Sequence, residues 1–337
     1  MFKLSKRLSL LLLLAVGLLV TSVAGSTVSA QSQGSGGNGI RISPVRTDLT
    51  VSPGETRVVT LTVQNITSGD AEFQAIINDF VAGNNELGQP ALILDADKFA
   101  PSHSLKRYIA DIPNVSIPAQ GSKQVKVTIS LPADIAAGGY YGAVRFTPAD
   151  AEGGNQNNVT LSASVGSLIL VKVPGDIKEN LTLESFDARR DLSPEGSGSS
   201  IFMTNKGINA VARFKNTGNV HEQPFGKVVL KRGGKILQTI EINKTDPKGN
   251  VLPDSIRRFT AELTKVGVWG RYTVDGNFGY GESGQLVSGS TSFIVIPLIP
   301  ILIVLGLIAA VVLAFLWLPK AIKRYNAQVV RRANRRK

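Results

Sequence analysis

A chain of 337 residues with 43% hydrophobic content is long enough for two domains of ordinary size, each with its own core, and its 34 glycines and few aromatics point to short strands and many turns. With no cysteine it has no disulfide, no zinc–thiolate site and no thiol nucleophile; in an exported chain this fits a Gram-positive type of envelope better than an animal secretory route. The formal net charge of +12 invites a nucleic-acid reading, but the excess sits at the two ends: Lys3, Lys6 and Arg7 at one, and Lys320, Lys323, Arg324, Arg331, Arg332, Arg335, Arg336 and Lys337 at the other. Without these groups 26 basic residues face 25 acidic ones, so the middle is near neutral and offers no basic footprint for nucleic acid.

Residues 1–30 read as a signal peptide: a basic start, an apolar core from Leu8 to Val20, and a small-residue stretch ending Val28-Ser29-Ala30. That apolar core is too short to span a bilayer, which takes ~20 residues. Residues 31–38 (QSQGSGGN) form a flexible polar spacer.

Between residues 39 and 292 short alternating runs bounded by Gly, Pro, Asn and Asp replace any long helical pattern. In the first region, 39–175, "ISPVRTDLTV" reads as one strand and "SPGET" as a turn. "RVVTLTVQN" follows, with Val59, Leu61 and Val63 facing in. "FQAIINDFVA" is a further strand. The stretch from Phe99 to Ile109 reads as a short helix or crossover. "VSIPAQGSKQVKVTISLP" repeats the strand–turn–strand grammar, with Val125, Val127, Ile129 and Leu131 on one face. "AGGYYGAVRFTP" starts through glycines, residues 149–158 form a polar hairpin loop, and "NVTLSASVGSLILVKVP" closes the set.

In the second region, 176–292, "ENLTLESFDARR", "INAVARFKNTGN", "SIRRFTAEL", "GRYTVDGNFGYG" and "QLVSGSTSF" read as strands. "FGKVVLKRGGKILQTIEIN" is a hairpin turned at Gly233-Gly234, since tight hairpins need positive φ there. About seven strands per region is the expectation for an immunoglobulin-like sandwich. The regions share a phrase: Asn65 and Asn216 each end an alternating strand and open a turn, which reads as an internal repeat. The fold class is therefore all-β: two tandem immunoglobulin-like β-sandwiches followed by one transmembrane α-helix.

That helix is the uncharged apolar run assigned to residues 293–318, with Trp317 at its far edge. Residues 319–337 form a basic tail, which the positive-inside rule keeps in the cytoplasm. Signal peptide and tail thus agree on a single-pass type I topology in the cell membrane, with the sandwiches extracellular.

No catalytic constellation is found. The two histidines, His103 and His221, fall one in each domain, which disfavours a metal pair or a Ser–His–Asp arrangement within one domain. Asp79, Asn84, Asn85, Glu86, Asp95 and Asp97 gather oxygen donors around one loop, but their spacing fits no EF-hand, and no metal or other cofactor is expected. The most distinctive cluster is Gly138, Gly139, Tyr140, Tyr141 and Gly142. It reads either as an aromatic platform for wall sugars or as a strand whose two tyrosines divide between core and surface. Tyr272, Phe278 and Tyr280 carry the same ambiguity.

"ISPVRTDLTVSPGETRVVTLTVQN" and "SLKRYIADIPNVSIPAQGSKQVKVTISLPADIAAGGYYGAVRF" resemble the N-terminal, peptidoglycan-binding domain of the WxL-interacting proteins of Gram-positive bacteria. "ARFKNTGNVHEQPFGKVVLKRGGK" is more loosely similar to that family's C-terminal domain, and the apolar helix and basic tail match as well. Tyr108 stands where the family places a tryptophan. The resemblance implies binding to peptidoglycan, or another cell-wall polymer, and to a partner surface protein. Tyr108, Tyr140 and Tyr141 are the candidate ligand-binding residues, and no nucleic acid is involved. An adhesin for a host or neighbouring cell is the alternative, and an envelope enzyme with an unrecognised site a third.

Overall fold

Alternation of small apolar and polar residues builds this chain, because each strand must bury one face and wet the other. The computed structural model describes residues 39–149, 164–193 and 195–334. The signal peptide, the spacer and most of the 149–158 loop lie outside the described residues, as does the start of the "NVTLSASVGS" strand.

The first sandwich comprises β1 (Ile40–Ser43), β2 (Arg46–Thr50), β3 (Thr56–Asn65), β4 (Ala71–Ala82), β5 (Pro90–Leu92), a 3₁₀ turn at Lys106–Tyr108, β6 (Val115–Ile117), β7 (Ser122–Ser130), β8 (Gly138–Pro148) and β9 (Val165–Val173). One sheet has the order β1-β3-β7; the other runs β2-β9-β8-β4-β5, with β6 also on β4. On the inner face of the first sheet Val59, Leu61 and Val63 lie beside Val125, Val127 and Ile129, and they share one core with Val144, Phe146, Ile169 and Val171 of the second, all under a tenth exposed. The second sandwich comprises β10 (Leu181–Arg189), β11 (Ile201–Phe202), β12 (Asn209–Asn216), β13 (Phe225–Arg232), β14 (Lys235–Ile242), β15 (Ser255–Glu262), β16 (Gly270–Tyr280) and β17 (Gln285–Val295). Its sheets are β10-β12-β15 and β11-β17-β16-β13-β14. The fold is two tandem immunoglobulin-like sandwiches and one C-terminal helix, α1 (Leu298–Asn334).

Two local expectations change. "ISPVRTDLTV" is two strands. Pro44 has no N–H to give a ladder, and the chain changes sheets beside it: β1 pairs antiparallel with β3 and β2 parallel with β9. The apolar segment placed at residue 293 begins later. Phe293 and Val295 point inward from β17 and are buried in the second core, where Phe293 stacks on Tyr272 at 5.4 Å. Pro297 follows the strand and the helix starts at Leu298. Within it Pro300–Lys320, with mean hydropathy 3.1 and none of it buried, is long and apolar enough to cross a membrane; at ~1.5 Å per residue it covers the ~30 Å hydrocarbon core. The helix continues past Pro319 into the basic tail.

The repeated asparagines do the same job twice. Both side chains are fully buried. Asn65 accepts from Thr67 N at 2.9 Å, and its amide donates to Gly69 O at 2.8 Å and Ile117 O at 3.1 Å. Asn216 accepts from Gly218 N at 2.8 Å and donates to Val220 O and Val251 O, both at 2.8 Å. In each domain one amide thus closes the turn after the strand and ties it to a second loop. Only a group that donates twice and accepts once fits. Replacing Asn216 by Asp should therefore be at least as damaging as Asn216→Ala, because a carboxylate meets two carbonyls. Either variant should lose about 2–4 kcal/mol, since each orphaned buried polar group costs ~1–3 kcal/mol; chemical unfolding of the purified protein checks this.

Candidate functional site

In β8, Val144 and Phe146 face the first core, so Tyr141 and Ala143 face away from it. This outer face is not solvated. Phe80, Tyr141, Ala143 and Leu170 form a second apolar cluster, with Leu252 of the second sandwich packed against it. The outer face of one sheet is therefore a joint between the two domains.

Asn219 anchors the joint. Its backbone O accepts from Gly139 N at 2.7 Å, and its N donates to Lys178 O at 3.1 Å. Its side chain accepts from Lys178 N at 2.8 Å and donates to Asp176 O at 2.9 Å and Ala137 O at 3.2 Å. One residue thereby holds the interdomain linker, the first sandwich and the second. Gly138 is required here: its φ is +145°, and a Cβ would stand 2.8 Å from Asn219 O.

Charged groups flank this anchor. Arg213 forms a two-pronged pair with Glu86, at 2.8 and 2.5 Å, and Arg258 N donates to Glu86 O. Arg46, clamped on Asp48, donates to Lys248 O at 2.7 Å and Asn250 Oδ1 at 3.0 Å. Lys172 bonds Glu282 at 2.6 Å and lies 3.7 Å from Glu179. Among the described residues, openings along the seam include two with mixed polar and apolar walls. One, of about 80 Å³, lies between Phe80, Leu168, Leu170 and Leu252, with Arg46 and Arg257 at its wall. The other, of about 270 Å³, is a wet cleft lined by Lys172, Glu179, His221, Glu222, Lys248 and Glu282. Both fall below the ~300–1,000 Å³ of ordinary small-molecule sites.

The joint shifts its titratable groups. Burial pulls the His221 imidazole down to about 4, with Asp48 opposing and Arg46 and Lys172 assisting. Burial, then Glu179, pushes Glu222 up to about 7. Glu222 is 3% exposed, and its Oε1 has no hydrogen-bond partner. Burial also raises the Tyr141 hydroxyl, which lies 3.4 Å from His221 Nδ1. A carboxyl raised in this way is an ingredient of acid–base chemistry, and Glu222 lines the 270 Å³ cleft together with Glu179, Glu282 and His221.

The three tyrosines picked out in the sequence separate. Tyr141 is buried in the joint, 3% exposed, with the rings of His103 and His221 at 5.8 and 5.7 Å. Tyr108 and Tyr140 stay together as a half-buried edge-to-face pair at 5.9 Å, and His103 lies 6.4 Å from Tyr140. The two histidines, one per domain, thus meet across Tyr141, which spacing along the chain did not reveal. Asp79 is buried and fully engaged, accepting from Ala100 N, Ser104 Oγ and Lys106 N at 2.6–2.9 Å. Among the described residues no group of three or more His, Asp or Glu has metal-holding geometry. Tyr272, Phe278 and Tyr280 belong to the second core. Asn219 and the Glu86–Arg213 pair went unnoticed in the sequence; the "NTGN" turn was the one local signal.

Two outcomes follow from this joint. Asn219→Ala should release the linker, speeding hydrogen exchange at Lys178 N by a factor that corresponds to ~1–3 kcal/mol, while the amides of β3 keep their protection. Neutral His221 contributes stability above about 6.5 that is lost as pH falls through about 4, whereas Glu222 contributes stability below about 4.5 that is lost as pH rises through about 7. The two act with opposite signs in the native protein. Glu222→Gln should therefore make stability rise from pH 4 to 6.5, and His221→Gln should make it fall from pH 4.5 to 7, each by ~1–3 kcal/mol. Melting curves across that range read the two opposite slopes.

No family model matches the chain, and no curated protein does. Among solved structures it is similar to the class 5 fimbriae chaperone CfaA (TM-score 0.35, 13% identity, 77% of this chain and 99% of that one) and to the CupB2 chaperone of Pseudomonas aeruginosa (0.32, 14%, 73% and 97%). A PapD-like domain of human CEP192 is similar over less of the chain (0.28, 16%, 44% and 97%). At these values the likeness says nothing about what this chain binds.

Proposed function

We propose that this chain is a non-catalytic, membrane-anchored binding protein of the cell surface, type I in topology. Its paired sandwiches lie outside and hold peptidoglycan, or another wall polymer, and/or a partner surface protein. The observation that carries this reading is the joint: two sandwiches latched at Asn219 into one body, ahead of a helix apolar enough to span, with neither opening along the seam large enough for an ordinary small-molecule ligand. Two features suit the two ligand classes. The Tyr108–Tyr140 pair, partly exposed at the margin of the first core, offers aromatic surface of the kind that packs on sugar rings. β14 ends the five-stranded sheet, where an extended segment of a partner protein has an edge to pair with.

The test is retention of the ectodomain on purified peptidoglycan sacculi at low and high salt. The fragment should run from residue 31 to 296, because stopping at residue 292 would strip Phe293 and Val295 from the second core. Retention that survives high salt and falls about tenfold or more in the Tyr108→Ala, Tyr140→Ala double variant is the expected result; loss of two aromatic contacts at ~1 kcal/mol or more each has that size. Retention abolished by salt, or none, removes the wall polymer and leaves the partner protein.

A further inference from the structure

The end of the second sandwich opposite the joint has its own chemistry. At this end Val295, the last residue of β17, pairs with Gly270 on one side and Phe202 on the other. Ile296 N then donates to Phe202 O at 2.9 Å. Trp269 and Met203, each one residue past those partners, are therefore level with Ile296, two residues before α1 begins. At ~3.3 Å per residue, the apolar helix starts within about 7 Å of that level.

Three large apolar side chains stand out from this end: Trp269 at 64% exposure, Val268 at 63% and Met203 at 56%. They are held rather than loose. Asn205 Nδ2 donates to Val266 O at 2.9 Å, tying the 203–207 loop to the 263–269 loop. The Tyr272 hydroxyl accepts from Gly267 N at 2.8 Å and donates to Trp269 O at 3.2 Å. The Arg232 guanidinium lies 5.4 Å from the centroid of the Trp269 ring. Lys206, Lys265, Arg232 and Lys235 stand in or beside these loops, and residues 203–207, 232–235 and 263–269 include no acid. The neighbouring 190–200 loop sets Arg190 against Asp191 and Glu195, so the end stays net positive.

We propose that this end of the second sandwich is seated on the outer face of the lipid bilayer, with Trp269, Val268 and Met203 in the headgroup layer and the surrounding cations facing lipid phosphates. The proposal rests on α1 being a membrane span. An indole favours the water–lipid interface, and a Lys or Arg near an anionic surface contributes ~1 kcal/mol. The covalent link leaves the patch nowhere far from lipid once α1 is inserted. Because the two sandwiches are latched at the other end, the seat would also set how the first sandwich stands over the membrane.

Trp269 and Trp317 are the two tryptophans of the chain, so each can be read alone. The full chain is reconstituted into anionic vesicles containing lipids with bromine at shallow or deep chain positions, as the Trp317→Phe variant (reporting Trp269) and the Trp269→Phe variant (reporting Trp317). The expected result is quenching of both, with Trp269 quenched more by the shallow label than by the deep one, and its emission shifted to shorter wavelength relative to the chain in detergent. Quenched Trp317 beside unquenched Trp269 overturns the seat while the span stands, and leaves the patch to a second copy of the chain or another protein. Neither quenched means that the span has failed and the seat with it.

Discussion

Everything outside the two cores depends on the set of hydrogen bonds centred on Asn219. A short linker between sandwiches ordinarily permits hinge motion, since interfaces between domains are small and polar. Here one side chain and its backbone engage the linker at Asp176 and Lys178 and the first sandwich at Ala137 and Gly139. All five of those hydrogen bonds have backbone groups as the partners, and the two made by Asn219's own backbone, to Gly139 and Lys178, depend on no side-chain rotamer. The apolar cluster of Phe80, Tyr141 and Leu170 under Leu252 then adds burial to direction.

Several of the charges around the joint are partnered, while Arg257 and Arg258 bury guanidinium nitrogens that have no hydrogen-bond partner among the described residues. Arg46, Arg213 and Lys172 each meet a carboxylate or a carbonyl. Burial moves two of the joint's groups toward their neutral forms: it lowers the His221 imidazole to about 4 and raises Glu222 to about 7. A neutral neighbouring pair avoids the desolvation penalty that two buried charges would carry, and its opposed titrations flatten the pH dependence of the joint.

The pair of sandwiches is polarised along its length. Its middle is the latched joint, and its helix-side end is apolar and basic, with Trp269 exposed and Arg232 beside it. The far sandwich carries the partly buried Tyr108–Tyr140 pair. A rigid joint makes this polarity useful, because anything held by the first sandwich keeps a set relation to the end from which the helix departs.

Sequence alone determined what depends on neighbours along the chain. Alternation assigned the inward faces of β3 and β7, Gly233-Gly234 assigned the hairpin, with φ of 56° and 80°, and the length of the uncharged apolar run assigned the helix. The repeat of Asn65 and Asn216 was legible because the turn each closes is local. Tertiary structure decided the rest. Pro44 marks a break in "ISPVRTDLTV", but only the pairing of β2 with β9 moves the chain to the other sheet. Phe293 and Val295 look like membrane residues until β16 claims them for the second core. The glycine–tyrosine cluster of β8 stood out from the start, yet Tyr141 faces a second domain rather than solvent because residues some 80 positions later, Asn219 and His221, come to meet it. An alternating strand says which residues share a face; what covers that face is set by contacts between distant parts of the chain, which no local pattern encodes.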